Sequence, residues 1–360
     1  MDDRDIAHLE RCIELAERGA RTAAPNPMVG CVIVRDEAVI GEGWHERPGK
    51  PHAEVEALAA AGDATGATVY VSLEPCAHQG RTPPCVDALI EAGVRRVVVG
   101  AVDPDPRTNG TGIARLRVAG IEVEVARGPV EQRARRQNAA FRTHVLEGRP
   151  HVTYKAAASL DGRTATAAGE SQWISSPESR ALVHEMRARS SAVGVGVGTA
   201  LADDPMLTAR ELHPRAERQP LRVVFDRTAR LPLTSALVQT ARQYPVTVIT
   251  APGAGGAEPL AAAGVDILEA ATPAKALAEL GRRGITSLMI EGGANFAGGL
   301  LAAGLIDRIA LFVAPVVLGE GPGVFAGFSA VSIGAAPGAV ALTSRQVGPD
   351  TLLVAELREL

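Results

Sequence analysis

Apolar positions near the start of the chain recur at helical spacing. Ile6, Leu9, Ile13 and Ala16 share one face, which predicts a helix over residues 3–19. The period then shortens to strand-like runs, VGCVIV (29–34) and EAVIGEG (37–43), before a second helical stretch, HAEVEALAAA (52–61). The alternation continues through ATVYVSL, a helix over 84–92, RRVVVGAV, a short helix over 111–119, IEVEVA and a helix over 129–146. Such an order predicts a sheet covered on both faces by helices.

EGRP (147–150) is a polar break carrying Gly and Pro, and it divides the expected domains into residues 1–147 and 150–360. A second alternating series opens with HVTYKAAAS and the helix SPESRALVHEMRARS, where Ser176 takes the cap position and Pro177 the first turn. AVGVGVGT, LRVVFD, VTVIT, ITSLMIEGG and DRIALFVAPVVLG supply further strands. The Ala- and Gly-rich stretch 251–283 reads as a pliable surface helix and loop, and no internal repeat relates the halves.

A chain of 360 residues exceeds the usual single-domain size, which agrees with two α/β domains, each able to bury a core. Its 37 basic and 41 acidic residues are evenly spread, so no basic stripe is present for a nucleic acid. The first twenty residues are charged and amphipathic, no apolar run lasts the roughly 18 residues of a membrane span, and a cytoplasmic protein without membrane contact is expected. In that reducing compartment the four cysteines point to packing or metal binding rather than disulfides. Cys12 and Cys31 lie on apolar faces and read as core.

Cys76 and Cys85 are different, because the polar loop EPCAHQGRTPPC carries them from a strand end to a helix start. With His52 they offer one imidazole and two thiolates, a zinc donor set that leaves a tetrahedral position open for water. Zinc lowers the pKa of such a water towards neutrality, and Glu54, two residues beyond the histidine, is placed to move its proton. The alternative is a structural zinc with His45 or His78 as fourth ligand, for which a carboxylate beside the metal has no use. Asn26, His45, His78 and the pair Arg81–Thr82 flank this site on loops, where contact with substrate and a turn-forming or solvated role both remain open.

H-x-E followed by P-C-x-x-C marks the zinc-dependent nucleobase deaminases. Here the second half is widened to C-x8-C. NPMVGCVIV, GEGWH, HAE, PCAHQGRTPPC and DPDPRTNGTG (103–112), in this order, resemble the deaminase half of the bifunctional riboflavin-biosynthesis deaminase and reductase family. That resemblance implies an N-terminal cytidine-deaminase-like three-layer domain.

In the second half no G-x-G-x-x-G follows the first strand, and the glycines gather late, in SLMIEGGANFAGGLLAAGLID (287–307). Backbone N–H groups at such a helix start can cradle a diphosphate, although Gly-Gly before a helix also serves as a plain tight turn. KAAASLDGRTA (155–165), GESQWIS (169–175) and GVGTALADDPMLTAR (196–210) resemble the reductase half of the same family and imply a C-terminal dihydrofolate-reductase-like domain using NADPH. Carried over by position, Ala157, Trp173, Thr199, Asp203 and the run Gly293, Ala294, Asn295, Phe296, Ala297, Gly298 and Gly299 are implied cofactor contacts. Ser171, Arg187, Leu207, Arg210 and Glu291 are implied substrate contacts, the two arginines suiting a phosphate. Trp173 reads alternatively as a loop residue capping the core. Arg227, just beyond LRVVFD, is the candidate for the 2′-phosphate of NADPH on charge and position alone. Lys155 is either a strand-end ion-pair partner or, with water, a candidate proton donor.

The resemblance thus implies a fused enzyme acting on a pyrimidine ribotide, with zinc and NADPH as cofactors and with pairing of reductase domains into a homo-oligomer. Two other readings stay open on the sequence. One is a nucleobase or nucleoside deaminase whose C-terminal half only binds; the other is a non-enzymatic structural-zinc protein.

Overall fold

The computed structural model describes residues 1–80, 83–214 and 216–359. Arg81 and Thr82, named above, lie outside the described residues, as does Leu360 at the end of the second expected domain. The chain separates into two compact units, Met1–Gly148 and Arg149–Glu359.

The first unit runs α1 (Asp3–Ala16), β1 (Gly30–Arg35), β2 (Ala38–Trp44), α2 (Ala53–Ala61), β3 (Thr68–Val71), α3 (Cys85–Glu91), β4 (Arg96–Val99), α4 (Thr111–Val118), β5 (Glu122–Val125), α5 (Pro129–Gln137) and α6 (Ala139–Glu147). Asp2 starts α1 through a reciprocal cap: its carboxylate accepts from Asp5 N–H at 2.9 Å while Asp5 accepts from Asp2 N–H at 3.1 Å. The sheet order is β2-β1-β3-β4-β5, with β1 antiparallel to β2 and β3 and the other pairs parallel. Its buried strands separate two cores. Ile33, Val69, Val97 and Leu89 pack on the side of α2, α3 and α4, and Val32, Tyr70, Val98 and Leu9 on the side of α1 and α5. Helix α2 lies unusually close to β2, because a side chain at Gly43 would come within 2.4 Å of the Ala53 carbonyl. That contact fixes where the first turn of α2, and so His52 and Glu54, stands.

The second unit runs β6 (His151–Ala158), α7 (Pro177–Arg189), β7 (Ala192–Gly196), α8 (Val197–Asp203), β8 (Leu221–Phe225), α9 (Ala236–Gln239), β9 (Val246–Thr250), α10 (Ala257–Ala262), β10 (Asp266–Glu269), α11 (Pro273–Arg282), β11 (Ser287–Glu291), α12 (Ala294–Ala302), β12 (Arg308–Val313), β13 (Ala341–Val347) and β14 (Asp350–Glu356). The strand order is β10-β9-β8-β7-β11-β6-β12-β14-β13. The seven strands from β10 to β12 are parallel, and the β13–β14 hairpin closes one edge antiparallel. Glu291, the last residue of β11, lies beside Lys155 of β6, and Ile290 beside Gly194 of β7, so the carboxyl ends of these three parallel strands share one edge, where an open parallel sheet places its ligands. Among the described residues no helix is long and apolar enough to cross a membrane.

Four expectations change. The stretch 251–283 is not only pliable surface: β10 pairs with β9, and α11 buries Ala276, Leu277 and Leu280. Only two apolar residues of β10, Ile267 and Leu268, stand between acidic neighbours, a run too short to stand out. The hairpin β13–β14 also escaped notice, since β13 is an exposed edge strand without an apolar face. The helix over 3–19 ends as an α-helix at Ala16 and finishes in a tighter turn through Gly19. The helix over 129–146 is two helices that break at Asn138.

Candidate functional site

In the first unit a cleft of about 600 Å³ opens over the start of α2. His52 caps α2, Cys76 follows β3 on a loop, and Cys85 begins α3. Their ligating atoms all lie within 4.8 Å of one another. His52 Nδ1 stands 3.2 Å from Cys85 Sγ and 3.6 Å from Cys76 Sγ, and the Cys85 N–H donates to Cys76 Sγ at 3.3 Å. Hydrogen bonds from Cys85 and His52 pull the Cys76 thiol well below its ordinary range, while the hydrogen bond to Cys76, together with burial, pushes Cys85 up. Cys76 also raises the pKa of His52. One thiolate and a second thiol converging on an imidazole make a soft, anionic pocket that fits zinc with one position left over.

Glu54 is 3% exposed on the first turn of α2 and lines the same cleft. Burial first, and then the charge of Cys76, pushes its carboxyl up to about 7. It is outside the three-donor cluster, which leaves it free for proton transfer. His45 is buried, and both of its ring nitrogens are engaged: Nε2 accepts from Asn26 Nδ2 at 3.0 Å, and Nδ1 donates to the Pro51 carbonyl at 3.2 Å. His78 Nδ1 is bonded to Thr108 Oγ1 at 3.2 Å. Neither imidazole joins the donor cluster among the described residues, so neither completes a four-ligand structural site. Asn26, His45 and His78 instead line the cleft.

Residues missed on the sequence also face this cleft. Asp103 and Asp105, from the DPDP turn, line it, and burial pushes the Asp103 carboxyl up to about 6. The signal was visible as two acids between prolines, but a turn motif of this kind is also an ordinary loop device. Glu74, just before Pro75–Cys76, accepts backbone N–H groups from Asp103, Gly110 and Ile113 at 3.3, 3.0 and 3.2 Å and so ties the cysteine loop to α4.

The second unit carries a separate cleft of about 810 Å³ at the strand ends. It brings together Ala157, Ser171, Trp173, Arg187, Thr199, Asp203, Leu207, Arg210, Glu291, Gly293 and Ala294, with Lys155 beside them. Gly292 and Gly293 have φ of 68° and 76°, a left-handed conformation that glycine adopts without steric cost, and they pack against Thr199. Trp173 is 70% exposed with the Arg180 guanidinium 4.8 Å from its ring, so it stands over the cleft and does not cap the core.

Several expectations fare differently. Asn295, Phe296, Ala297, Gly298 and Gly299 do not line this cleft but lie within α12, where Phe296 packs against Phe225 and Gly196. Once a helix starts, its later residues turn away from the end that meets a ligand. Arg227 is exposed and outside the cleft lining. Arg187 is turned inward: Nε and Nη2 donate to the two oxygens of Glu291 at 2.6 and 2.9 Å, and Nη1 donates to the Thr208 carbonyl at 3.0 Å. Arg210 is exposed and donates to Thr208 Oγ1 at 3.4 Å, which makes it the better placed of the two for a phosphate. Burial lowers the pKa of Lys155, opposed by the charge of Glu291, its cross-strand partner. His184, one turn before Arg187, was not singled out on the sequence and lines the cleft wall.

Residues 2–101 match the model of the cytidine and deoxycytidylate deaminase zinc-binding region, and residues 150–353 match the RibD C-terminal domain. The riboflavin biosynthesis protein RibD of Aquifex aeolicus is 44% identical, over 88% of this chain and 88% of its own length. That of Escherichia coli is 41% identical, over 97% and 98%. Among solved structures, RibD of Acinetobacter baumannii superposes with a TM-score of 0.85 at 42% identity, covering 98% of both chains. A diaminohydroxyphosphoribosylaminopyrimidine deaminase/5-amino-6-(5-phosphoribosylamino)uracil reductase from Thermotoga maritima superposes with a TM-score of 0.85 at 35% identity, again over 98% of both.

Proposed function

Because this chain belongs to the RibD family of riboflavin biosynthesis, a zinc deaminase fused to a reductase, we propose that its two clefts act in turn on one pyrimidine ribotide. The N-terminal unit is cytidine-deaminase-like and the C-terminal unit dihydrofolate-reductase-like. The first cleft hydrolyses the 2-amino group of 2,5-diamino-6-(ribosylamino)pyrimidin-4-one 5′-phosphate to a carbonyl, with loss of ammonia. The second reduces the ribosylamino group to ribitylamino. The observation that carries this reading is the three-donor cluster with Glu54 buried beside it and outside it.

His52, Cys76 and Cys85 hold the zinc, which when bound supplies an acidified water as nucleophile. Glu54 would carry the two protons of the attacking water in turn, the first to the ring nitrogen and the second to the departing amine, which leaves as ammonia. Asn26 and His45 contact the pyrimidine side of the substrate, and Asn26 holds His45 by its Nε2.

In the second cleft NADPH, when bound, would be the hydride source for reduction at C1′ of the ring-opened sugar. Ala157, Trp173, Thr199, Asp203 and the Gly292–Ala294 turn hold the cofactor, and Ser171, Leu207 and Arg210 hold the ribotide. Glu291 keeps its charge through the bidentate Arg187 pair, and Lys155, its cross-strand neighbour in the cleft lining, supplies the proton that completes the reduction.

Chelation of zinc should abolish ammonia release and zinc should restore it, while NADPH oxidation on the already deaminated ribotide continues throughout. Loss of both activities together on chelation would contradict two independent sites. The chain works in the cytoplasm, where thiolate ligands stay reduced; fractionation of a producing cell checks this. It assembles with a second copy through its reductase unit, whose edge strand β13 is exposed and follows the nearly bare Val331 and Ile333. Sedimentation should show a dimer or larger, and a monomer at micromolar concentration would refute it.

A further inference from the structure

Where the helix expected over 129–146 breaks between α5 and α6, Asn138 is 2% exposed and faces a single residue 110 positions away. Its Oδ1 accepts the Met28 N–H at 2.8 Å, and its Nδ2 donates to the Met28 carbonyl at 2.8 Å. A side-chain amide here reproduces the paired N–H and C=O bonds that one strand residue gives another. Both backbone groups of Met28 are thereby satisfied by one side chain.

Met28 ends the segment Pro25-Asn26-Pro27, which lines the deaminase cleft. Prolines on both sides of Asn26 fix two φ angles, so a pinned Met28 leaves the Asn26 side chain few directions. Asn26 Nδ2 donates to His45 Nε2 at 3.0 Å, the His45 N–H donates to the Val29 carbonyl at 2.9 Å, and His45 Nδ1 reaches Pro51, the residue before the ligand His52. The contacts run without interruption from Asn138 through Met28 and Asn26 to His45.

We infer that Asn138 is a positioning residue of the deaminase, holding Asn26 and His45 in the orientation that binds the pyrimidine ribotide. The inference rests on the reading of Asn26 and His45 as substrate groups. Asn138 lies beyond the 2–101 match to the zinc-binding region, so that match assigns it no part in the site.

Asn138→Asp keeps the volume and the acceptor but loses the donor, and leaves the Met28 carbonyl facing a carboxylate oxygen. In the full-length zinc enzyme it should raise the deaminase KM about tenfold, the scale of one lost buried hydrogen bond, with kcat changed no more than about twofold. Bound zinc and the reductase rate on the deaminated ribotide should stay at wild-type values. Asn26→Ala should raise KM by a similar factor, and the double variant should be no worse than the worse single one, because both changes cut the same path.

An unchanged KM in Asn138→Asp, a parallel fall in kcat and zinc content, or additive KM effects in the double variant would each overturn the inference. Should Asn138→Asp not fold, Asn138→Ser, which keeps a small polar group without the paired geometry, is judged by the same three readouts. Asn26→Ala alone tests the reading beneath. If its KM is unchanged, the substrate role of Asn26 falls and the positioning inference with it, whereas a raised KM there beside an unchanged one in Asn138→Asp removes only the inference.

Discussion

Glu54→Gln should leave the protein folded and zinc-loaded and lower ammonia release by roughly 10²–10⁴-fold, the usual contribution of a positioned acid–base group. The substitution is isosteric at a buried position in the first turn of α2, so the packing around it is kept. What it removes is a group that both accepts and returns a proton within one catalytic cycle. Because Glu54 is outside the three-donor cluster, zinc content measured by atomic absorption should not change. Reduction of the deaminated ribotide should proceed normally, since its cleft is lined by residues of the other unit alone. Full deaminase activity in Glu54→Gln would contradict the assignment of proton transfer to Glu54; the structural-zinc reading is disfavoured separately, by the bonds of His45 to Asn26 and Pro51 and of His78 Nδ1 to Thr108.

Arg187→Met should cost the reductase unit roughly 3–5 kcal/mol and remove its activity. The change takes its bidentate partner from the buried Glu291 carboxylate and leaves only the neighbouring Lys155, and the loss of one partner of a buried pair is penalised on that scale. In the native pair the charge and hydrogen bonds of Arg187 hold Glu291 below the usual carboxylate range although burial pushes the other way. Arg187→Lys should recover little, because an ammonium cannot make the two parallel bonds of a guanidinium. The double variant Arg187→Met with Glu291→Met separates stability from function: with both charges gone, urea unfolding of this unit should return towards wild type while NADPH oxidation stays absent. Restored activity in the double variant would show that the pair is structural only.

The parts of this molecule legible in its sequence are those where local pattern and chemistry coincide. VGCVIV, TVYV and RVVV are apolar runs and become the buried strands of the first sheet. H-x-E and the P-C loop name their own chemistry, since few other uses bring a histidine and two cysteines together in a chain with four cysteines, and the structure places their donor atoms within one metal's reach. What escaped depends on long-range pairing. Strand β13 has no apolar face because it edges the sheet, and its identity comes only from its register with β14, Ala341 opposite Glu356. Arg187 looked like a phosphate ligand by charge, but its direction is decided by Glu291, 104 positions later. Asn138 sat unmarked inside a helical pattern, and its role follows from Met28 alone. A side chain's type can be read locally; its partner cannot.

The most direct measurement is the mass of the product formed from the diaminopyrimidine ribotide by the purified zinc enzyme, with and without NADPH. Without NADPH the account predicts exchange of one amino group for a carbonyl and nothing more; with NADPH it predicts the same exchange together with the gain of two hydrogens. An exchange that never gains the two hydrogens, even when the deaminated ribotide is supplied directly, would contradict a reductase in the second unit and leave that cleft a binding site only.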